Sequence, residues 1–175
     1  SLYAKHYPKL APKATFIPFG NDVDYFTPKE MAMKKQILTF GKAKRDNDTL
    51  CKAFSGIADK KGYKLVVVGA GALKEKYPDG DIEFLDPMPL KDLVTLSRES
   101  AFIVVPLPEY LYSYGQMSFL QSMALGKALI VTETTSSADY ISDAPGVERV
   151  QPYDVGDMKA ALQRMMASDF ATLQQ

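Results

Sequence analysis

Two short runs of the chain are apolar without interruption, and they constrain the fold more than any other feature. LVVV lies inside KLVVVG at 64–69, and FIVV lies inside AFIVVP at 101–106. A strand with one face in water alternates polar and apolar side chains, whereas a strand of a parallel sheet is covered by helices on both faces and is apolar throughout. The sequence therefore predicts a parallel sheet between two layers of helices.

Seven strand candidates and the helical segments between them support this fold class. The strand candidates are Ala14–Pro18, Gln36–Phe40, Lys64–Val68, Ile82–Leu85, Ala101–Val105, Ala128–Thr132 and Val147–Val150. Apolar residues recur at helical spacing between several of them, as in the stripe formed by Met117, Leu120, Met123 and Ala124. We predict an α/β three-layer domain with a mostly parallel sheet and right-handed crossovers.

The length of 175 residues fits one domain, and we assign one domain to residues 1–175. The last helical stripe is followed by DFATLQQ, with no glycine or proline that would end a helix. The first thirteen residues contain no clear strand. We therefore expect a domain excised from a longer protein.

Composition and charge exclude several classes of function. Lys and Arg total 21 against 21 Asp and Glu, so the chain lacks the basic field that binds nucleic acid. The single Cys51 and the single His6 exclude a disulfide framework, a Cys/His zinc site and a catalytic triad with a mid-chain His. No apolar run reaches the roughly 18 to 20 residues that span a bilayer. We expect a cytoplasmic protein without a nucleic-acid partner.

Cations follow the second strand candidate, at an edge of the sheet where open α/β folds bind ligands. The segment FGKAKRDNDTL places one glycine and three cations there, followed by Asp46 or Asp48 as a helix cap: Gly41, Lys42, Lys44 and Arg45. A phosphate would gain roughly 1.5–3 kcal/mol from each charge-assisted hydrogen bond to such groups. A solvated basic turn explains the same residues equally well.

The fifth strand candidate leads through a Tyr-rich loop into a helix. Ser113 and Gln116 have the spacing of a capping box, and Gly115 allows a ligand to approach the backbone. Gln121 either projects into the same cleft or lies on a solvated helix face. Three tyrosines either stack on a base or sugar or pack on their own loop, namely Tyr110, Tyr112 and Tyr114.

Two glycines after the third strand candidate leave an alternative function open. In GAGALK, Gly69 and Gly71 begin a dinucleotide-binding fingerprint, but Lys74 stands where the third glycine is needed. A tight turn before a short helix explains the glycines better. A dinucleotide-dependent oxidoreductase domain is one alternative function, and a non-catalytic scaffold of the same fold is another.

Seven segments, in this order, resemble the carboxyl-terminal half of the group 1 (family 4) glycosyltransferases of GT-B architecture: IPFGNDVDYFTP, ILTFGKAKRDNDTL, KLVVVGAG, IEFLDPMPLKDL, AFIVVPL, GQMSFLQSMALGKALIVT and DYI. The resemblance spans Thr15–Met166. It implies a metal-independent, retaining, hexosyltransferase-like enzyme of two domains, whose Rossmann-like carboxyl-terminal domain holds the nucleotide-sugar donor. No cofactor and no metal site are therefore expected.

The resemblance also implies the partners of the enzyme. A saccharide or glycolipid acceptor would bind mainly to the N-terminal half, without which the isolated domain would be inactive. A role in polysaccharide biosynthesis and peripheral membrane association of the full-length protein are further expectations from the family.

The resemblance assigns roles to individual residues. Lys42 and Arg45 lie where the family has cations that hold the donor diphosphate, and we predict them as the catalytic pair. Gln121 falls on the second glutamate of the family's Glu, seven residues, Glu motif, which accepts from the ribose hydroxyls. The predicted donor-binding residues are Gly41, Leu85, Asp86, Met88, Ser113, Tyr114, Gly115, Gln116 and Gln121.

Three positions depart from the family pattern. Ser113 stands where the first Glu would fall, and Gly115 precedes Gln121 by six residues rather than five. Asp86 replaces the glycine usual after the base-binding strand. A subgroup with an SxGQ loop and a Gln in place of the second Glu shares this pattern, so we interpret the departures as a variant subgroup rather than lost activity.

Overall fold

The computed structural model describes residues 2–15, 17–41, 43–110, 112, 114–135, 137–141 and 146–169. Its strands are β1 Lys34–Phe40, β2 Lys64–Val68, β3 Ile82–Leu85, β4 Ser100–Val105, β5 Ala128–Thr132 and β6 Val147–Val150. Its α-helices are α1 Leu2–His6, α2 Asn47–Ser55, α3 Leu90–Glu99, α4 Gln116–Ala124 and α5 Val155–Ala167. None of the described helices has both the length and the hydropathy of a membrane span.

The six strands form one sheet in the order β3-β2-β1-β4-β5-β6, and every neighbouring pair is parallel. The chain builds the sheet outward from β1 to β3 and then returns to place β4 on the other side of β1. This order is that of the Rossmann fold, in which ligands bind where the strand order reverses, here between β1 and β4. The predicted α/β Rossmann-like class is confirmed.

The core has two layers because neighbouring side chains of a strand point to opposite faces of the sheet. In β1, Ile37 packs with α2 and α5 on one face, and Leu38 packs with α4 on the other. Both of these side chains are fully buried. The uninterrupted apolar runs of β2 and β4 thus reflect burial on two faces.

One strand prediction was wrong. The described residues of Ala14–Pro18 form no strand, and Ile17 is 81% exposed. A short apolar run alone does not distinguish a strand from an extended surface segment.

The helical stripe predicted on α4 is confirmed at three of its four positions. Leu120, Met123 and Ala124 pack against core residues, whereas Met117 is exposed. Ser118 and Ser122 are buried as well, so small hydroxyl side chains form part of the buried face of this helix.

Two turn predictions were confirmed. Asp46 caps α2, since its carboxylate accepts from the Thr49 amide at 3.2 Å. Gly69 has a φ of +85°, and a short 3₁₀ helix follows at Gly71–Leu73. A side chain is disfavoured at such a φ, so the first glycine of GAGALK has a conformational explanation that requires no ligand.

Candidate functional site

A cavity of about 980 Å³ lies beyond the carboxyl ends of β1 and β4. Residues after β1 form one wall, and the first turn of α4 forms the floor. Residues 17–20 and Tyr140 also line the cavity. The complete lining includes Ile17, Phe19, Arg45, Gln116, Ser118 and Tyr140. The cavity therefore occupies the ligand position expected for this strand order.

Arg45 is fixed in this wall by four hydrogen bonds. Its Nε donates to the Phe40 carbonyl at 3.1 Å, and its Nη1 donates to the Ala43 and Lys44 carbonyls at 2.9 and 3.3 Å. Its Nη2 donates to Ser118 Oγ in α4 at 2.7 Å. The guanidinium thus joins the end of β1 to the first turn of α4.

Gly41 makes room for this arrangement. A Cβ on Gly41 would lie 2.5 Å from Arg45 Nη2 and 2.7 Å from Arg45 Cζ. Gly41 also has a φ of +125°, which side chains rarely adopt. The guanidinium therefore packs directly on the backbone of Gly41, and a side chain at this position would displace it.

The charge of Arg45 is not neutralised by the described protein. Burial lowers the pKa of Arg45 to about 10, and the phenol of Tyr114 opposes that shift only in part. No acidic side chain among the described residues forms a salt bridge with Arg45. The group is still cationic at neutral pH, and a bound anion would offset its lost hydration.

The N-terminus of α4 adds a second positive element. Gly115, with a φ of +85°, is the N-cap and supplies no side chain to the helix amides. The amides of Gln116 and Met117 have no acceptor in the described part of the chain. A free helix N-terminus attracts anions. The capping-box prediction was wrong, since Gln116 is the first helical residue rather than the third.

The Gln116 side chain has an unpaired polar atom. The residue lines the cavity and is only 9% exposed. Its Nε2 is buried and has no hydrogen-bond partner among the described residues. A buried amide without a partner costs about 1–3 kcal/mol, so this group is free to bind a ligand.

The tyrosines of the loop before α4 contact one another. The Tyr110 ring centroid lies 5.6 Å from that of Tyr112 and 6.0 Å from that of Tyr114. The Lys44 ammonium lies 4.4 Å from the centroid of Tyr110, and the Tyr114 hydroxyl donates to the Pro108 carbonyl. Of the two interpretations, packing on the loop itself describes these contacts, and Tyr114 also borders the cavity.

Among the described residues, the other predicted donor-binding residues do not line the cavity. Gln121 is 7% exposed, so its interpretation as a solvated helix residue was wrong. Leu85, Asp86 and Met88 lie at or just beyond the carboxyl end of β3, two strands away from β1. Asp86 is exposed there, and Met88 is half-buried. Lys42 and Ser113 are outside the described residues.

Three contributors to the site were missed from the sequence. Ser118 accepts from Arg45, 73 positions earlier in the chain. The amide of Phe19 donates to Tyr140 Oη at 3.1 Å, across 121 positions, and joins two segments that line the cavity. No local pattern marks such long-range pairs. Phe19 and Tyr140 lie in two of the segments that carry the family resemblance, IPFGNDVDYFTP and DYI, but the sequence assigned no role to either residue.

Comparison with known proteins gives one family and one fold. A family model described as Glycosyl transferases group 1 matches residues 34–168. No curated protein matches the sequence. Sucrose-phosphate synthase from Thermosynechococcus elongatus superposes with a TM-score of 0.78 at 20% identity, over 99% of this chain and 48% of that one. The chain thus spans about half the length of that relative.

Two further solved structures have the same fold. The C-terminal domain of a glycosyl transferase group 1 family protein (LpcC) from Francisella tularensis superposes with a TM-score of 0.71 at 16% identity, over 89% of this chain and 92% of that one. HepE from Anabaena, solved in complex with UDP and glucose, superposes with a TM-score of 0.63 at 10% identity, over 79% of this chain and 40% of that one.

Proposed function

Since the chain belongs to the group 1 glycosyltransferases, we propose that it binds a nucleoside-diphosphate sugar in the cavity beside Arg45 and is the donor-binding half of a retaining enzyme. The observation that carries the proposal is Arg45, a half-buried cation that forms no salt bridge with a described carboxylate. It is bonded at 2.7 Å to the first turn of α4, whose first two amides have no acceptor among the described residues. A diphosphate supplies the negative charge that would neutralise Arg45 and the N-terminus of α4.

The proposed chemistry is stabilisation of the leaving group. Sugar transfer breaks the bond between the anomeric carbon and a phosphate oxygen, and negative charge grows on the departing nucleoside diphosphate. Arg45 and the amides of Gln116 and Met117 would meet that charge without reorganising, because they are already fixed by the fold. Lys42 would add a second cation from the same turn.

The remaining donor-binding roles extend along the same edge of the sheet. We assign the nucleobase to the segment after β3, with Leu85, Asp86 and Met88, and the ribose to Gln121. The position of that segment at the carboxyl end of a parallel strand supports the first assignment. The solved complex of HepE with UDP and glucose supports a nucleotide and a sugar as ligands of this fold.

The acceptor would bind mainly outside this chain. The chain covers 48% of sucrose-phosphate synthase and 92% of the LpcC C-terminal domain. We therefore assign the saccharide or glycolipid acceptor to a second half, without which the donor half is inactive. Polysaccharide or glycolipid assembly, with peripheral membrane association of the whole protein, is the corresponding role.

Isothermal titration with UDP, GDP, ADP and NAD tests the proposal. We expect one of the three nucleoside diphosphates to bind, and its affinity to fall as salt is added, because the contacts are charged. Arg45→Ala should weaken that binding by about 1.5–3 kcal/mol. Binding of NAD alone would instead favour the oxidoreductase alternative. A protein that binds a diphosphate and transfers no sugar when intact would be the non-catalytic scaffold.

A further inference from the structure

The two polar side chains in the first turn of α4 point in different directions. Gln116 and Ser118 are two residues apart, which separates them by about 200° around the helix axis. Ser118 holds Arg45 through the 2.7 Å bond to Nη2, so the cationic side of the helix end is the Ser118 side. Gln116 also lines the cavity, and its position on the helix is on the side away from Ser118.

The environment of the Gln116 side chain suits a neutral polar ligand group rather than a phosphate. The buried Nε2 is one of two buried side-chain polar atoms without a partner in the described part of the chain. Apolar residues also line the same cavity, namely Ile17, Phe19 and Met117. A phosphate has stronger donors at Arg45 and the helix amides, whereas a hydroxyl can accept a hydrogen bond from a neutral amide at little desolvation cost.

We infer that the Gln116 carboxamide recognises a hydroxyl group of the transferred sugar and thereby determines which donor sugar is accepted. The inference rests on the proposed function, since it assumes that the diphosphate occupies the Arg45 side of the same cavity. With the diphosphate there, the attached sugar extends over the helix end toward the Gln116 side. A site built to bond a hydroxyl rejects a ligand without it, because the amide is then left unpaired.

Calorimetric titration of the 175-residue chain tests this inference with matched ligands. The probes are UDP, GDP and ADP, each paired with hexosyl esters: UDP-glucose, UDP-galactose, GDP-mannose and ADP-glucose. In the wild type, one ester should bind more tightly than its parent diphosphate. Gln116→Leu should leave the affinity for the diphosphate within about twofold and weaken the ester about tenfold, the effect of one lost hydrogen bond.

Two further variants control for shape and packing. Gln116→Met keeps the length of the side chain and removes both its donor and its acceptor without adding charge, so it should also lose the sugar-dependent gain. Gln163→Leu makes the same substitution at an exposed position of α5 that does not line the cavity, and it should leave both affinities unchanged. Gln116→Leu should unfold at the wild-type temperature or above, because it removes an unpaired buried amide.

The outcomes separate the inference from the proposed function. If the wild type binds a diphosphate but Gln116→Leu weakens the diphosphate and the ester equally, the side chain serves the phosphates and the inference is wrong. The inference is also wrong if no ester gains affinity over its parent, or if Gln116→Leu retains the full gain. If no diphosphate binds the wild type at all, the proposed function itself is wrong, and the inference falls with it.

Discussion

Gly41→Ala should move Arg45 out of its position without altering the arginine. The added Cβ would lie 2.5–2.7 Å from three guanidinium atoms, and no carbon atom approaches a nitrogen so closely without displacement. The contacts are to the end of a side chain rather than to backbone, so the guanidinium is the group that yields. Its bonds to Phe40 and Ser118 should then be lost together.

Gly41→Ala should lower both the folding stability of the chain and its affinity for the diphosphate. The φ of +125° is strained for alanine, which costs about 1–3 kcal/mol of folding free energy. A displaced Arg45 also loses its charge-assisted bond to the diphosphate, which is worth about 1.5–3 kcal/mol or roughly 10- to 150-fold in affinity. The variant should therefore be folded but bind poorly.

A double-mutant cycle measures whether the two residues act as one unit. The dissociation constant of the nucleoside diphosphate that binds the wild type is determined for Gly41→Ala, Arg45→Ala and the double variant, after urea denaturation has shown that each is folded. The double variant should bind within about twofold of Arg45→Ala, since Gly41→Ala acts through Arg45. Gly80→Ala is the control, because nothing lies within 4 Å of a Cβ at that position. If the losses of affinity in the two single variants are additive, Gly41 does not act through Arg45. Wild-type affinity in Gly41→Ala would lead to the same conclusion.

Three further predictions address other buried polar groups. Ser118→Ala removes the acceptor of Arg45 Nη2 and should weaken diphosphate binding about fivefold. Ser118→Thr keeps the hydroxyl and should bind the diphosphate as the wild type does. Equal affinities in both variants would contradict a role for the hydroxyl. Burial lowers the pKa of Lys127 from 10.5 to about 8, so between these two pH values the unfolded chain binds a proton that the folded chain has lost. The free energy of unfolding of the wild type, compared with that of Lys127→Met, should therefore rise as the pH increases from about 8 to 10.5. Urea denaturation at the two ends of the window measures this gain, and a constant difference would show that the amine is charged when buried. If Gln121 accepts from the ribose, Gln121→Ala should weaken binding of UDP, or of whichever diphosphate the chain binds, but not of its 2′,3′-dideoxy analogue. Equal losses for both ligands would indicate disturbed packing of a side chain that is 7% exposed.

The sequence predicted those parts of the fold that depend on local pattern. The runs in β2 and β4 are apolar because both faces are covered, so their burial is encoded within a few consecutive residues. The Ala14–Pro18 run has similar composition, but its described residues have no neighbouring strand. The run itself does not show whether another strand lies beside it, and a strand forms only where a neighbouring strand pairs with it.

The site was predictable only where its residues are close in the chain. Gly41 and Arg45 stand four positions apart, so the sequence suggested a phosphate turn, although not that the guanidinium lies on the glycine. The bond from Arg45 to Ser118 and that from Phe19 to Tyr140 join segments that only the sheet topology brings together. The burial of Ser118 in α4 was not predictable for a related reason, because its hydroxyl accepts from a cation that is distant in the chain.

A crystal structure of the chain with its preferred nucleoside diphosphate would show directly whether the diphosphate binds beside Arg45. We expect phosphate oxygens about 2.7–3.2 Å from the Arg45 guanidinium and from the amides of Gln116 and Met117, within the cavity beyond β1 and β4. Phosphates bound at the Gly69–Gly71 turn, with Arg45 still bonded only to its protein partners, would contradict this expectation.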